Sequence, residues 1–241
     1  MPRHGVARVI SKLGLGSRTI AADWVRAGRV RVNGRVVTDA EHPVEQGVDR
    51  IEIDGEASQP AARVVLMLNK PRGSVTTVRD ERGRDTVYRC FDGAALPWLA
   101  PVGRLDKASE GLLLFSNDPK WAAGITDPTL GPPKTYHVQI DRLPESGLLA
   151  KLERGLRIQE EYLAVRSARL LRAGEKHSWL EIVLEEGRNR HIRRLLEAFD
   201  VSVLRLMRVA IGSLPLGTLA QGQWRMLTLE ETESLSQKAA G

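Results

Sequence analysis

The chain has 241 residues, of which 42% are hydrophobic, so it can bury a core as one large domain or two unequal ones. No apolar run approaches the roughly 20 residues of a membrane-spanning helix, and a single cysteine, Cys90, excludes an internal disulfide and a cysteine-based metal cluster. The net charge of +6 and the pI of about 9.8 favour a polyanionic partner.

The N-terminal stretch predicts two short helices and no export signal. Its first five residues carry no apolar core, so we expect a protein of the reducing cytoplasm. Apolar residues spaced as one helix face follow, namely Val6, Val9, Ile10 and Leu13. Ser17 is the expected N-cap of a second helix, whose inward residues are predicted to be Ile20, Trp24 and Ala27.

A β-hairpin and a basic surface are predicted next. Two alternating segments flank Asn33-Gly34, which is a strong hairpin signal. Between Met1 and Thr38 eight Lys or Arg residues accompany one acid, Asp23, and an excess of this kind indicates nucleic-acid binding. The alternative is a solvated charged face. The arginines expected to contact RNA are Arg18, Arg29, Arg31 and Arg35.

The amino-acid sequence of this stretch resembles that of a known RNA-binding domain. Gly-Ser-Arg, followed by Ala-Gly-Arg-Val-Arg-Val-Asn-Gly-Arg-Val-Val, is similar to the S4-type RNA-binding domain. The resemblance implies contacts to phosphates and RNA shape with little base readout. A small-residue break at 57–62 then predicts a linker, and Val64 to Leu68 predicts a buried strand. We therefore expect domains at 1–58 and 59–233 and a tail at 234–241.

A charged loop before a buried strand is the first candidate site. Leu112 to Phe115 is a short apolar run that predicts a buried strand, and Gly103 and Gly111 bracket the loop before it. That loop carries Asp106, which a rigid strand could hold as a nucleophile or as a general acid or base. The alternative is a solvated Asp-Lys turn, because ion pairs also occur at strand ends.

Two later segments contribute further candidates. Residues 134–140 alternate as a strand with Tyr136 on its inward face, where it is either a core tyrosine or part of a site. Another strand is predicted at 179–184, and a helix then follows whose apolar face is Ile192, Leu195, Leu196 and Phe199. At 100° per residue Arg193 lies at the edge of that face and Arg194 points away. A solvated basic face is again the alternative.

Three motifs in order resemble one enzyme family. They begin Gly103-Arg104-Leu105-Asp106, Lys134-Thr135-Tyr136 and Gly187-Arg188-Asn189-Arg190, and together they are similar to pseudouridine synthases of the RsuA/RluB/RluE/RluF family. The resemblance implies that Asp106 is the nucleophile, that Tyr136 packs against the target base, and that Arg193 pairs with the aspartate. Further residues are expected to contact RNA: Arg104, Lys70, Lys134, Arg188 and Arg190.

The predicted fold class is α+β, with a small N-terminal α/β RNA-binding module. A catalytic domain follows, with a mainly antiparallel mixed sheet flanked by helices. The resemblance implies isomerisation of a uridine to pseudouridine in RNA. Ribosomal RNA of the large subunit is favoured as the target, and ribosomal RNA of the small subunit and transfer RNA are the alternatives. We expect a monomer with no cofactor, no metal site and no membrane contact. The alternatives are a non-catalytic RNA-binding factor and a nucleoside glycosidase, which commonly needs two carboxylates.

Overall fold

The computed structural model describes residues 3–59, 61–78, 80 and 82–236. The chain divides into two compact units. The first comprises Met1–Val65, Gly93–Ala100 and Phe115–Lys120, and the second Leu66–Asp92, Pro101–Leu114 and Trp121–Gly241. Within the described ranges, no helix is both long enough and apolar enough to cross a bilayer.

The first unit combines two helices with short strands. In chain order its elements are β1 (His4–Gly5), α1 (Val6–Lys12), α2 (Arg18–Arg26), β2 (Val30–Val32), β3 (Arg35–Val36), β4 (Pro43–Val44), β5 (Ile51–Ile53) and β6 (Glu56–Ala57). The strands pair in the orders β1-β4 and β3-β2-β5-β6. Their apolar residues form one core with α1 and α2.

The inward face of α2 differs from the prediction. Ser17 caps the helix as expected, since its hydroxyl accepts from the Ile20 N–H at 3.0 Å. Trp24 packs against the core as predicted, but the buried residues of the helix are the small Ala21 and Ala22 together with Val25. The prediction that Ala27 points inward was wrong, because α2 ends at Arg26 and leaves Ala27 as an exposed C-cap.

The hairpin prediction is confirmed. β2 and β3 pair antiparallel on either side of Asn33 and Gly34. These two residues have φ values of 50° and 78°, the left-handed conformation that a two-residue type I′ turn demands. Arg31 and Arg35 are both exposed on this short ribbon, where Arg31 is opposite Val36 and Arg35 is opposite Val32.

The remaining strands and helices belong mostly to the second unit. They are β7 (Val65–Lys70), a 3-10 helix (Val87–Phe91), β8 (Ala100–Val102), β9 (Glu110–Ser116), α3 (Pro119–Thr126), β10 (Lys134–Ile140), α4 (Leu148–Arg154), β11 (Leu156–Ile158), β12 (Glu161–Leu163), β13 (Ser167–Ala173), β14 (Ser178–Leu184), α5 (His191–Glu197), β15 (Val203–Ile211), β16 (Leu214–Pro215), β17 (Trp224–Met226) and α6 (Leu229–Ser234).

The main sheet has the order β13-β14-β10-β15-β9-β7-β17, with β16 paired to β15 and β8 to β9. The pairs β13–β14, β14–β10, β10–β15 and β17–β7 are antiparallel, whereas β15 and β9 are parallel. The predicted fold class, with a mainly antiparallel mixed sheet, is therefore confirmed. The predicted apolar run at 112–115 lies inside β9, every residue of which is buried.

Gly111 makes the parallel pairing possible. It lies opposite Arg208 of β15 and has a φ of 100°. A Cβ at this position would lie 2.3 Å from the Arg208 carbonyl oxygen, so only glycine lets the two backbones approach this closely. The glycine that precedes the apolar run thus fixes how β9 joins β15.

The C-terminal region packs through α6. Thr228 and Glu231 form a capping box at the start of this helix. Of the predicted tail at 234–241, Ser234 ends α6, Leu235 is buried, and Ser236 accepts a hydrogen bond from Trp121 Nε1 at 2.9 Å. Residues 237–241 lie outside the described residues.

Candidate active site

The second unit contains a cleft of about 330 Å³ at the ends of β9, β10 and β15. Two of the three principal candidates, Asp106 and Tyr136, line it. Four residues predicted to contact RNA also line it, namely Arg104, Lys134, Arg188 and Arg190. Residues about 80 apart in sequence therefore meet in one concave surface, as expected for a small-molecule or nucleotide site.

The loop that carries Asp106 is held by backbone contacts. The Ser109 N–H donates to the Asp106 carbonyl at 2.9 Å, which closes a tight turn after the aspartate. Thr76 Oγ1 donates to the Leu105 carbonyl at 2.8 Å, and the Gly73 N–H donates to the Lys107 carbonyl at 2.8 Å. The carboxylate itself is half-buried on a loop fixed from two sides, which suits a positioned nucleophile.

Lys70 corrects one prediction. Its side chain is completely buried, so the prediction that it contacts RNA was wrong. The ammonium donates to three carbonyls, those of Ser109 at 2.8 Å, Pro71 at 3.1 Å and Asp106 at 3.2 Å. Burial lowers the pKa of Lys70 to about 8, although the charges of Asp106, Glu110 and Cys90 oppose the shift. Lys70 therefore supports the Asp106 loop from beneath.

Tyr136 lies in β10, between two partners in the sheet. It is opposite Ile182 of β14 and Arg208 of β15, and 8% of its surface is exposed. This exposed remnant borders the cleft. The tyrosine is thus anchored in the sheet and still presents part of its ring to whatever enters.

Arg193 contacts the loop rather than the aspartate. Its Nη2 donates to the Ala108 carbonyl at 3.1 Å and its Nη1 to the Val203 carbonyl at 3.2 Å. Within the described part of the chain, no hydrogen bond or ion pair joins it to the Asp106 carboxylate. Burial lowers the pKa of Arg193, as does the charge of Arg190, while the charge of Asp106 opposes the shift. The neighbouring Arg194 turns away and pairs with Glu161 at 2.5 Å.

The other predicted RNA contacts differ in availability. Arg104 and Arg190 are exposed at the cleft, and Arg188 pairs with Glu186 at 2.9 Å. In the first unit Arg18 and Arg35 are exposed, and Arg31 donates to its own turn at the Gly34 carbonyl. Arg29 instead forms a two-point ion pair with Asp54, which leaves less of its charge for an RNA phosphate.

Several neighbours escaped the sequence analysis. Glu110 is buried and binds Arg205 at 2.6 Å and Gln221 at 3.1 Å, which makes it a structural ion pair. Thr76, which supports Leu105, had no distinguishing pattern around it. Arg208 could have been noticed in the sequence, because it is a charged residue among the apolar residues Leu206, Met207 and Val209. Across the described ranges, no group of His, Cys, Asp or Glu is arranged to hold a metal ion.

Comparisons with known proteins agree on one family. The profile described as RNA pseudouridylate synthase matches residues 64–198, and that of the S4 domain matches residues 6–49. Ribosomal large subunit pseudouridine synthase B of Bacillus subtilis is 36% identical over 95% of this chain and 93% of that protein. The Salmonella typhimurium protein of the same name is 35% identical over 95% and 80%. A crystal structure of pseudouridylate synthase superposes with a TM-score of 0.67 at 30% identity, over 98% of this chain and all of that one.

Proposed function

This chain belongs to the RNA pseudouridylate synthase family, and from that premise we propose that it isomerises one uridine of large-subunit ribosomal RNA to pseudouridine. RNA pseudouridine synthase activity follows from the family. The choice of ribosomal RNA of the large subunit is supported by the names of the two relatives. The observation that carries the chemistry is the placement of Asp106 and Tyr136 in one cleft.

Asp106 is the nucleophile in this proposal. A carboxylate on a loop that three backbone contacts and the Lys70 ammonium hold in place loses little freedom when it attacks. Arg193 acts as a positioning residue, because it grips the Ala108 carbonyl two residues beyond the nucleophile. The aspartate attacks either the ribose or the uracil ring, and the glycosidic bond breaks and re-forms to carbon within the same nucleotide.

The target uridine has to leave its stack to reach Asp106, at a cost of a few kcal/mol. Tyr136 offsets part of this cost by stacking on the uracil, a contact worth about 1–3 kcal/mol. The exposed Arg104 lies in the same loop as Asp106, where it can contact a phosphate or fill the space that the uridine vacates. The basic first unit adds phosphate contacts elsewhere on the RNA.

The two alternatives are less well supported. A glycosidase of the common kind needs a second carboxylate at the cleft. Glu110, the nearest acid in sequence, is buried and bound by Arg205 and Gln221. Among the described residues that line the cleft, Asp106 is the only acid. A non-catalytic RNA-binding factor does not require a fixed aspartate beside a stacking ring.

Pseudouridine mapping of total RNA tests the proposal. RNA from cells that lack the protein is compared with RNA from cells that express either the wild type or Asp106→Asn. We expect one large-subunit position to carry pseudouridine with the wild type and uridine with Asp106→Asn, because the amide is a poor nucleophile. Purified Asp106→Asn should keep the melting temperature and RNA affinity of the wild type. Turnover by Asp106→Asn, or free uracil as product, contradicts the proposal.

The cytoplasmic location and the monomeric state stay predictions.

A further inference from the structure

Two cations in the cleft have no acidic partner among the residues that the structure describes. Arg208 is buried and donates from Nε to the Leu112 carbonyl at 2.7 Å, but its Nη2 has no hydrogen-bond partner among the described residues. Lys134 is half-buried, and its ammonium forms neither a hydrogen bond nor an ion pair within the same part of the chain. Both line the cleft with Asp106 and Tyr136. We call Lys134 and Arg208 the cationic pair.

The two charges act on each other. Burial lowers the pKa of Lys134 to about 8, and the charge of Arg208 contributes to the shift, while that of Asp127 opposes it. The Asp127 carboxylate is itself occupied, since it accepts the N–H groups of Thr129 and Leu130 at 2.8 Å. Two like charges near each other in a partly buried site raise the free energy of the empty enzyme. An anion that entered between them would relieve this repulsion and gain charge-assisted hydrogen bonds.

The position of the cationic pair indicates which anion. Arg208 lies opposite Tyr136 across β10 and β15, and opposite Gly111 across β15 and β9. It therefore lies between the strand of the stacking tyrosine and the strand that follows Asp106. The exposed cations of the cleft, Arg104 and Arg190, are the ones available to a phosphate on the RNA backbone. Of the cationic pair, the buried Arg208 is opposite Tyr136 in the sheet, and the half-buried Lys134 is two residues before Tyr136 on β10. The cationic pair is therefore next to the residue proposed to stack on the uracil.

Resting on the proposed function, we propose that the cationic pair binds the oxygens of the target uracil and holds the negative charge that develops on the ring. If Asp106 attacks C1′, an O–C1′ bond forms, the C1′–N1 bond breaks, and its electron pair passes to N1 and is shared with O2 and O4. If Asp106 attacks C6, an O–C6 bond forms and the electrons of the C5–C6 double bond pass to C5 and O4. On the second route the C1′–N1 bond then breaks and its electron pair stays on N1. On either route C1′ bonds to C5, and the bond from the aspartate to C1′ or C6 breaks and returns the carboxylate. The C5 proton leaves, which restores the C5–C6 double bond, and N1 gains a proton.

The first test compares Lys134→Met with the wild type on the RNA that mapping identifies. Under single-turnover conditions at saturating enzyme, we expect the rate constant to fall about 100-fold, as for other groups that stabilise an oxyanion. The RNA affinity and its salt dependence should be unchanged, because the charge develops only during reaction. Lys134→Arg keeps the charge and should stay within about tenfold of the wild type. Lys151→Met, at an exposed lysine of α4, is the control for loss of one positive charge.

A second test uses the unaltered protein with the target uridine replaced by 2-thiouridine or 4-thiouridine. Sulfur accepts hydrogen bonds weakly, so the substitution at the oxygen that the cationic pair binds should slow the wild type. On the thio-substituted RNA, Lys134→Met should lower the rate constant by a smaller factor than on the normal RNA, because the sulfur has already weakened the same hydrogen bond. The proposal is overturned if the wild type reacts equally fast on RNAs that carry uridine, 2-thiouridine and 4-thiouridine. It is also overturned if the effects of Lys134→Met and of the sulfur substitution on the rate constant are fully additive in free energy.

Other outcomes of the first test also overturn it. If Lys134→Met reacts as fast as the wild type, Lys134 does not stabilise the charge on the ring. If the variant binds RNA more weakly and with a shallower salt dependence, Lys134 contacts a phosphate instead. A lowered melting temperature shared by Lys134→Met and Lys134→Arg assigns it to packing. These results are distinct from failure of the proposed function, in which the wild type itself forms no pseudouridine in any RNA.

Discussion

The loop that carries Asp106 is held by side chains from three other segments of the chain. Lys70 holds three carbonyls around the loop, Thr76 holds Leu105, and Arg193 holds Ala108. Each contact is to backbone and fixes the course of the loop, and the positive charges of Lys70 and Arg193 also interact with the charge of Asp106. Such contacts matter because a displacement of about 1 Å in a reacting group can cost 100-fold in rate.

The two adjacent arginines of α5 provide a matched comparison. Arg193→Leu removes the hydrogen bond to the Ala108 carbonyl and should lower the single-turnover rate constant about 100-fold while RNA affinity is retained. Arg194→Leu removes the same charge but breaks an ion pair with Glu161, worth about 1 kcal/mol at most. It should keep nearly full activity. Equal effects in the two variants would show that α5 acts only through its positive charge.

Lys70 should leave a signature in the pH dependence of stability. Its pKa is about 8 in the folded chain and 10.5 as the ordinary value, so between these values the unfolded chain binds more protons than the folded chain. The free energy of unfolding of the wild type therefore rises with pH in that window, and no such rise comes from methionine at this position.

Urea unfolding of the wild type and Lys70→Met at pH 7.5, 8.5 and 9.5 measures this effect. At pH 7.5 the variant should already be less stable by about 1–3 kcal/mol, because buried carbonyls lose their donor. By pH 9.5 the gap should have widened by about 2 kcal/mol in favour of the wild type. Parallel profiles for the two proteins would mean that the Lys70 ammonium is solvated.

At the scale of elements, the parallel pair β9–β15 holds the site together. β9 follows the Asp106 loop, and β15 carries Arg208, whose Nε binds the Leu112 carbonyl back on β9. On its other side β15 pairs with β10, which carries Tyr136. The spacing between β9 and β15 therefore affects the distance between the Asp106 loop and the strand that carries Tyr136.

Gly111→Ala should force these two strands apart. The added Cβ would lie 2.3 Å from the Arg208 carbonyl oxygen, in a backbone conformation that is already strained for alanine. We expect a loss of about 3–5 kcal/mol of stability, from overpacking and strain together. Gly73→Ala is the control, because Gly73 has the same φ of 100° but open space around its missing Cβ. It should cost only about 1–2 kcal/mol in thermal or urea unfolding. Equal costs would show that backbone strain alone limits Gly111.

Local sequence patterns predicted many of the helices, strands and turns. Features that depend on contacts between residues distant in the sequence could not be predicted in this way. The helix of Val6, Val9 and Ile10, the Asn33-Gly34 hairpin and the buried strand at 112–115 depend on neighbours in sequence, so periodicity and turn chemistry were sufficient. The burial of Lys70 depends on carbonyls up to 39 residues away, and the pairing of Glu110 with Arg205 spans 95 residues. No local pattern distinguishes such a lysine from a surface lysine.

For the whole molecule, the net charge of +6 is less informative than which charges are free. In the first unit Arg18, Arg31 and Arg35 have no acidic partner among the described residues. Others are already neutralised: Arg26 pairs with Asp23, Arg29 with Asp54 and Arg50 with Glu52. Only free cations gain fully from an RNA phosphate, because a paired one has to give up its carboxylate first.

Two triple variants of the full chain test this division. Changing Arg18, Arg31 and Arg35 to Gln should weaken RNA binding and lower the log–log salt slope by about 2–3, roughly 0.7–0.9 for each phosphate that is no longer neutralised. Changing Arg26, Arg29 and Arg50 to Gln alters the net charge equally but should change the slope by less than about 1. Filter-binding or anisotropy titrations from about 50 to 400 mM salt give both slopes. Equal salt slopes for the two triple variants would mean that RNA binding depends on the net charge and not on Arg18, Arg31 and Arg35 in particular.

The first unit takes its residues from three stretches, and this affects how the chain folds as it is synthesised. Asn117 of the last stretch accepts from the Val64 N–H and donates to the Ala62 carbonyl, each at 2.8 Å. Val64 precedes Asn117 by 53 residues, which translation at about 5–20 residues per second covers in roughly 3–10 seconds. During that interval the backbone at 62–64 lacks these partners. This segment of backbone is therefore accessible to chaperones and proteases until Asn117 has been synthesised.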